Sequence, residues 1–310
     1  MAEEGEEDQE KPWVPTDDDI SDALSGLAKT EDGASVVFTR LTLQGSEGRR
    51  LASLKCPITM LENVRHLDVS NNKFITDISE SVVHMELLLS LSAMDNRIES
   101  FDVPTRLEFL QSIDLSNNKL VSWNGIDSPH LRYLNLSNNQ LSSVSGLHQN
   151  PELQTLLLAN NKPLTSCQGL GLPTVRELTL TNCGLESLEG LGALLLPALD
   201  LSDNALKDLK GLNTTGALKK LKLVGNPIES LDAVDALAEV GLTDLMLPEI
   251  PEAPADLRVL VIAKLSTKKD DRNKPVVKLC TLNGAPVTPE EIATVSEEAV
   301  YAYAWPDVRV

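Results

Sequence analysis

From Val64 to Ile228 the apolar and polar positions follow one pattern, written eight times. In its clearest copy Leu131, Leu134, Leu136 and Leu141 take offsets one, four, six and eleven, and Asn139 takes offset nine. The asparagine position is held in turn by Asn72, Asn96, Asn118, Asn139, Asn161, Cys183, Asn204 and Asn226, at spacings of 24, 22, 21, 22, 22, 21 and 22. Alternation in Leu134-Asn135-Leu136 is the strand period of two, so each copy predicts a short strand with leucines inward and the residue between them outward. The second half of each copy, Leu141, Val144, Gly146 and Leu147, recurs as Leu185/Leu188/Gly190/Leu191 and Leu206/Leu209/Gly211/Leu212. So short a back segment predicts turns or 3₁₀ helix rather than full helices.

This period and consensus define the leucine-rich repeat. No single copy can bury its own leucines, so stacked copies pool them into one continuous core. The predicted fold is an α/β solenoid, a leucine-rich-repeat horseshoe of about ten turns, with a parallel sheet on its concave face. Strands about 4.8 Å apart would build that sheet. The ladder asparagines lie inside, where each amide can pair with loop backbone groups that would otherwise be buried without partners. Cys183 fits the same place as a small buried residue with a weak donor.

The flanks depart from the repeat. Residues 1–15 predict a disordered acidic tail, and residues 16–36 an N-terminal capping helix. The helix would start at the N-cap Thr16, with acids 17–19 in its first turn and Ile20, Ala23, Leu24 and Leu27 as its apolar stripe. The solenoid would run over 37–250, opening on a degenerate unit (Phe38, Leu41, Leu43) and closing on a last strand at Leu242, Leu245 and Leu247, with Ile250 in the asparagine position. A C-terminal cap is expected over 251–300. Its first apolar run, Leu257 to Leu265, suits either a hairpin strand or a helix, and Thr288-Pro289-Glu290-Glu291 is a strong helix start. An aromatic tail fills 301–310.

Charge narrows the partners. The net charge is −19, and −10 of it lies before residue 33. Such a chain is not expected to bind nucleic acid, membrane or bare microtubules directly. The basic-then-apolar pattern of a signal peptide is missing at the N-terminus, and no apolar run reaches membrane-spanning length. The four cysteines (Cys56, Cys167, Cys183 and Cys280) are scattered, which points to a reduced, cytoplasmic setting.

Two resemblances sharpen the expectation. Leu282-Asn283-Gly284, Val287, Thr288 and Glu290 are similar to the C-terminal cap of intracellular 22-residue leucine-rich-repeat proteins. That broader group includes phosphatase-regulating, splicing and ciliary members. The acidic start, the segment Ile20 to Lys29, the order of the repeats and the stretch Ile126 to Leu136 resemble the axonemal leucine-rich-repeat protein of radial spokes, of the third-spoke-head type. The likeness covers roughly residues 16–245. Beyond residue 248 the chain departs, because a compact cap stands where that family runs into a long charged helix. The resemblance implies a structural component of the ciliary or flagellar axoneme, needed for motility, with other radial-spoke or axonemal proteins as partners. The alternative it leaves is a regulatory subunit that holds a phosphatase or splicing partner on its concave face.

Catalysis has little to work with. The outward serines have no base placed beside them, and His66, His84, His130 and His148 show no metal-ligand spacing. No enzyme activity, cofactor or metal is expected. The outward positions instead predict a trough of small side chains, with Tyr133 and Leu157 raised at its middle, Asp114 and Asn135 nearby, and Lys220 and Lys222 toward one end. These six are the candidate partner contacts on the concave face. Tyr301, Tyr303 and Trp305 form a second candidate, either folding back over the last strand or docking on a neighbouring protein.

Overall fold

In the computed structural model the protein is described over residues 12–30, 34–46, 50–54, 57–171, 173–191, 195–212, 217–238, 240–251, 256–266 and 276–295. The acidic stretch 1–11 and the aromatic tail with Tyr301, Tyr303 and Trp305 therefore lie outside the described residues. The chain divides into two compact units, Met1–Leu156 and Leu157–Val310.

In the first unit the repeats stack as their periodicity requires. Strands His66–Asp68, Ser90–Ser92, Ser112–Asp114 and Tyr133–Asn135 pair in parallel, residue for residue, with Leu67, Leu91, Ile113 and Leu134 in one row. That inward row is 0–2% exposed, while the residues on either side of it are half-buried. On the other side of the unit, Ser122–Trp123 and Ser143–Val144 pair as short parallel strands, and a 3₁₀ turn follows at Leu147–Gln149. Turns and 3₁₀ helix were expected there; the extra strand pairing arises because successive units repeat their backbone path. Gly125 and Gly146 pack against each other, and a Cβ on Gly146 would stand 2.2 Å from the Asn124 carbonyl oxygen. Only glycine fits so close an approach at a positive φ of 74°.

The asparagine ladder holds the turns shut. Asn96 accepts a hydrogen bond from the Asn72 backbone N–H and donates to the carbonyls of Val69, Ala93 and Met94. Asn72, Asn118 and Asn139 repeat the arrangement, and in the second unit so do Asn204 and Asn226. Asn161 donates to the Leu158 carbonyl at 2.8 Å. Cys183 keeps the donor half, since its Sγ reaches the carbonyls of Leu158 (3.3 Å) and Thr181 (3.7 Å), and the Asn161 backbone bonds to it in turn. Replacing Asn139 by alanine orphans the Leu120 N–H and takes one donor each from the carbonyls of Leu115, Leu136 and Ser137, of which Leu115 keeps Asn118 Nδ2 and Ser137 keeps the Asn117 N–H. The expected loss is about 1–3 kcal/mol of unfolding free energy, read by chemical denaturation. Asn139→Cys should lose less than Asn139→Ala, and equal losses would refute the donor role assigned to Cys183.

The N-terminal end differs from the expected helical cap. A helix does start at Thr16 with a full capping box to Asp19, but it ends at Ala23. Leu24–Lys29 is instead a strand, antiparallel to Val36–Thr42, which in turn pairs with the first regular repeat strand. A helix laid here would leave the edge of the sheet with unpaired backbone groups, whereas a strand satisfies one row of them. Gly26, at φ 69°, is also a poor helix residue. Of the residues expected in the acidic tail, Pro12–Trp13 pairs with Arg50–Leu51 and Pro15 is buried.

The second unit carries Glu177–Thr179, Ala198–Asp200, Lys220–Lys222, Asp244–Met246 and Thr281–Leu282 in parallel, and Ala285–Pro286 turns back antiparallel. The run Leu257 to Leu265 resolves as a helix, Leu257–Lys264. Its Lys264 is 5% exposed and reaches Asp235 at 2.5 Å. Thr288 and Glu291 form the expected reciprocal cap of helix Pro289–Val295. Arg258 ties the cap together. Its guanidinium pairs with Glu291 and donates to the carbonyls of Leu282 (2.7 Å), Pro286 (2.8 Å) and Ala285 (3.1 Å).

Candidate functional site

Each repeat strand presents two outward side chains, so the sheet face of each unit is a grid read directly from the register. In the first unit the grid runs His66/Asp68, Ser90/Ser92, Ser112/Asp114 and Tyr133/Asn135, all of them half-buried. The acidic column has a local task. Asp68 Oδ1 accepts from the Ser70 N–H and hydroxyl, and Asp114 Oδ1 does the same with Ser116 at 2.9 and 2.6 Å. Asn135 Oδ1 accepts from the Ser137 N–H, and its Nδ2 donates to Asp114 Oδ2 at 3.2 Å. These side chains close the turn that leaves each strand, the work Asx residues do at turns. Tyr133 is thus the largest side chain of these eight, and Asp114 and Asn135 flank it as a linked pair.

In the second unit the lysines face carboxylates on neighbouring strands. Lys222 Nζ lies 3.2 Å from Asp200 Oδ2, and Lys220 Nζ lies 4.0 Å from Asp244 Oδ2. Burial pushes the Asp200 carboxyl upward, but hydrogen bonds from Ser202 and Lys222 outweigh it and leave its pKa below the ordinary value. The basic end expected from sequence is therefore a row of exposed pairs rather than a surplus of positive charge. Leu157, half-buried on Thr155–Leu157, adds an apolar side chain to this unit.

Two features escaped the sequence reading. The residue before each ladder position is left-handed: Asn71, Asp95, Asn117 and Asn138 in the first unit, and Asn160, Asn182 and Asp203 in the second, at φ 51–66°. Gly225 takes that place at φ 77° in the last regular unit. The signal was the doubled Asn-Asn or Asp-Asn itself, since these residues tolerate this backbone better than other non-glycine types. The second is an exposed ion network beside the strands. Arg132 and His130 both reach Glu152, at 2.9 and 3.0 Å, and Arg106 pairs with Glu108 at 2.6 Å and Asp127 at 3.6 Å. Apart from the local pair Arg106–Glu108, its partners are spaced about one repeat apart, so only the stacking brings them together.

Chemically the faces offer contact area, hydrogen bonds and paired charges. Burial pushes the Cys167 thiol up to about 12 and the Cys183 thiol up to about 11, which keeps both protonated at neutral pH and poor as nucleophiles. Among the described residues no group of three or more His, Cys, Asp or Glu could hold a metal ion, and no helix is long and apolar enough to cross a membrane.

The family profile described as the leucine-rich-repeat region of leucine-rich repeat and WD repeat-containing protein 1 matches residues 76–175, and the general leucine-rich-repeat profile matches 63–85. Human leucine-rich repeat-containing protein 23 is 32% identical over 236 residues, covering 74% of this chain and 66% of that protein. Its bovine counterpart is 31% identical over 284 residues, covering 87% of this chain and 75% of that protein. A leucine-rich-repeat protein of Leptospira interrogans shares the fold, with a TM-score of 0.50 and 20% identity over 84% of this chain and 64% of that one. Ladder, register and relatives agree: the chain belongs to the leucine-rich-repeat protein family, as a homologue of leucine-rich repeat-containing protein 23.

Proposed function

We propose that this leucine-rich-repeat protein is a non-catalytic interaction scaffold and a structural component of the ciliary or flagellar axoneme, in the radial spoke. The observation that carries the scaffold reading is the grid itself: rigid strands in register, their interior polar groups satisfied by the ladder, with side chains displayed outward at fixed spacing. Such a surface reaches a partner without reordering, which favours binding. The axonemal placement is supported by the resemblance of Ile126 to Leu136, of the repeat order and of the acidic start to the radial-spoke family.

The partners on this reading are other axonemal proteins, met through Tyr133 framed by Asp114 and Asn135 on the first unit, and through Leu157, Lys220 and Lys222 on the second. Tyr133 is the expected anchor, because partly buried aromatics dominate interface energies. A tagged chain expressed in ciliated cells should decorate the axoneme, resist detergent and leave in high salt. Tyr133→Glu should weaken incorporation by about 2 kcal/mol or more while the isolated protein melts as the parent does. Uniform cytosolic or nuclear signal from the parent chain would refute the axonemal placement and favour the phosphatase- or splicing-partner alternative. Equal incorporation of the variant would remove Tyr133 from the interface.

A further inference from the structure

The sheet ends, on its N-terminal side, in an apolar and basic patch. Strand Leu24–Lys29 is the last of its sheet among the described residues. Cross-strand pairing sets Ser25 beside Arg40, Leu27 beside Phe38 and Lys29 beside Val36. Alternation puts those six on one face, and the pairing of Arg40 with His66 makes it the outward face of the first unit. Leu27 is 69% exposed, Val36 62% and Phe38 45%, whereas Leu41 on the opposite face is fully buried. Scattered surface leucines are ordinary, but three large apolar side chains adjoining in register on a sheet edge mark an interaction surface.

The charge around the patch is unlike that of the rest of the chain. In a protein of net charge −19, Lys29, Arg40 and Arg65 have no ion-pair partner among the described residues. Their field is felt locally: burial lowers the pKa of His66, and Arg40 and Arg65 lower it further. An occupant must therefore supply both apolar side chains and carboxylates. A second copy of this chain would set the same cations against each other. The chain's own residues 1–11 carry carboxylates, but Met1 and Ala2 are their only apolar side chains.

We infer that the N-terminal hairpin is a docking surface for an extended acidic and apolar segment of a partner protein. Its apolar side chains cover Leu27, Val36 and Phe38, and its carboxylates meet Lys29, Arg40 and Arg65. Among the described residues no strand pairs with the outer edge of Leu27–Lys29, which offers backbone groups for the same segment to pair with, beyond the left-handed Gly26. This surface goes beyond the proposed strand-face contacts and holds wherever in the cell the protein works.

The test is fluorescence anisotropy on the full chain, with a short labelled peptide alternating valine and glutamate and a control alternating valine and lysine. The glutamate peptide is expected to bind saturably, weaken as salt rises, and exceed the control by about tenfold or more. The double variant Lys29→Glu/Arg40→Glu and the single variant Phe38→Ser should each lose about tenfold in affinity. Both should melt within a few degrees of the parent, because these side chains are exposed. The inference is overturned if the two peptides bind alike, if neither binds, or if the variants bind as the parent does. It is equally overturned if binding emerges only after residues 1–11 are removed, which would make the chain's own acidic segment the occupant. A parent dimer dissociated by Leu27→Lys would also overturn it, making a second copy the occupant.

Discussion

Leu134→Asp is expected to abolish cooperative folding of the first unit. Leu134 is fully buried, in register with Ile113 on the adjoining strand, and Leu91 lies one strand further along. An aspartate there meets only apolar neighbours, and an isolated buried charge costs several kcal/mol even when the site relaxes. Domains of this kind hold about 5–15 kcal/mol in total, so one such residue removes most of it. Because each repeat is stabilised chiefly by its neighbours, the damage spreads along the stack. Circular dichroism should show loss of the sharp thermal transition. Tyr133→Asp, one residue away and on the outward face, should melt close to the parent. If Leu134→Asp melted cooperatively at the parent temperature, the inward register assigned to this row would be wrong.

The second large effect is expected from Arg258→Ala. The guanidinium joins helix Leu257–Lys264 to two elements further along the chain, the turn between Leu282 and Pro286 and the N-terminus of helix Pro289–Val295. The carbonyls of Ala285 and Pro286 are near water, which can replace the lost donor. The Leu282 carbonyl and Glu291 are not so placed, and losing a charge-assisted bond to partly buried groups is expected to cost about 2–3 kcal/mol. Arg258→Lys should recover little, since an ammonium cannot reach several acceptors from one planar fork. Denaturation should report the loss, with earlier proteolysis in the C-terminal cap. Burial raises the Glu291 carboxyl, but its bonds to Thr288 and Arg258 outweigh this and hold its folded pKa below the ordinary value. A depressed folded pKa contributes stability at neutral pH that fades as pH falls toward it, so the parent should lose stability on acidification and Arg258→Ala should lose less. An unchanged midpoint for both substitutions would remove Arg258 from its role in the cap.

The candidate site was legible in part. Outward positions such as Tyr133 and Lys222 follow from strand alternation once the register is known, and the register is written eight times. What those side chains do with one another is not periodic. Asp114 and Lys222 read from sequence as free contacts. Stacking gives Asp114 the Ser116 hydroxyl and the Asn135 amide, and gives Lys222 the Asp200 carboxylate. The partners of Lys222 and Asp200 lie about one repeat apart, a distance across which sequence alone cannot say which pairs close.

The chain's two ends show the same division. The interior repeats were determined by sequence because every copy imposes the same demand: leucines inward every second residue, an amide at each turn, and a neighbour on both sides. Cys183 could be assigned to the ladder on those terms alone, and its Sγ reaches the carbonyls of Leu158 and Thr181. At the termini a neighbour is missing on one side, and local propensity competes with whatever covers the open edge. Ile20 to Leu27 satisfies a helical stripe on paper, yet only Ile20 is buried as that stripe requires, and Leu24–Lys29 goes to the sheet. Leu257 to Leu265 is equally apolar read either way, and becomes helix where Lys264 meets Asp235 and Arg258 meets Glu291. Periodicity decides structure where each residue's surroundings are copies of itself; at the ends, where unpaired backbone and buried charge must find partners far along the chain, only the tertiary structure decides.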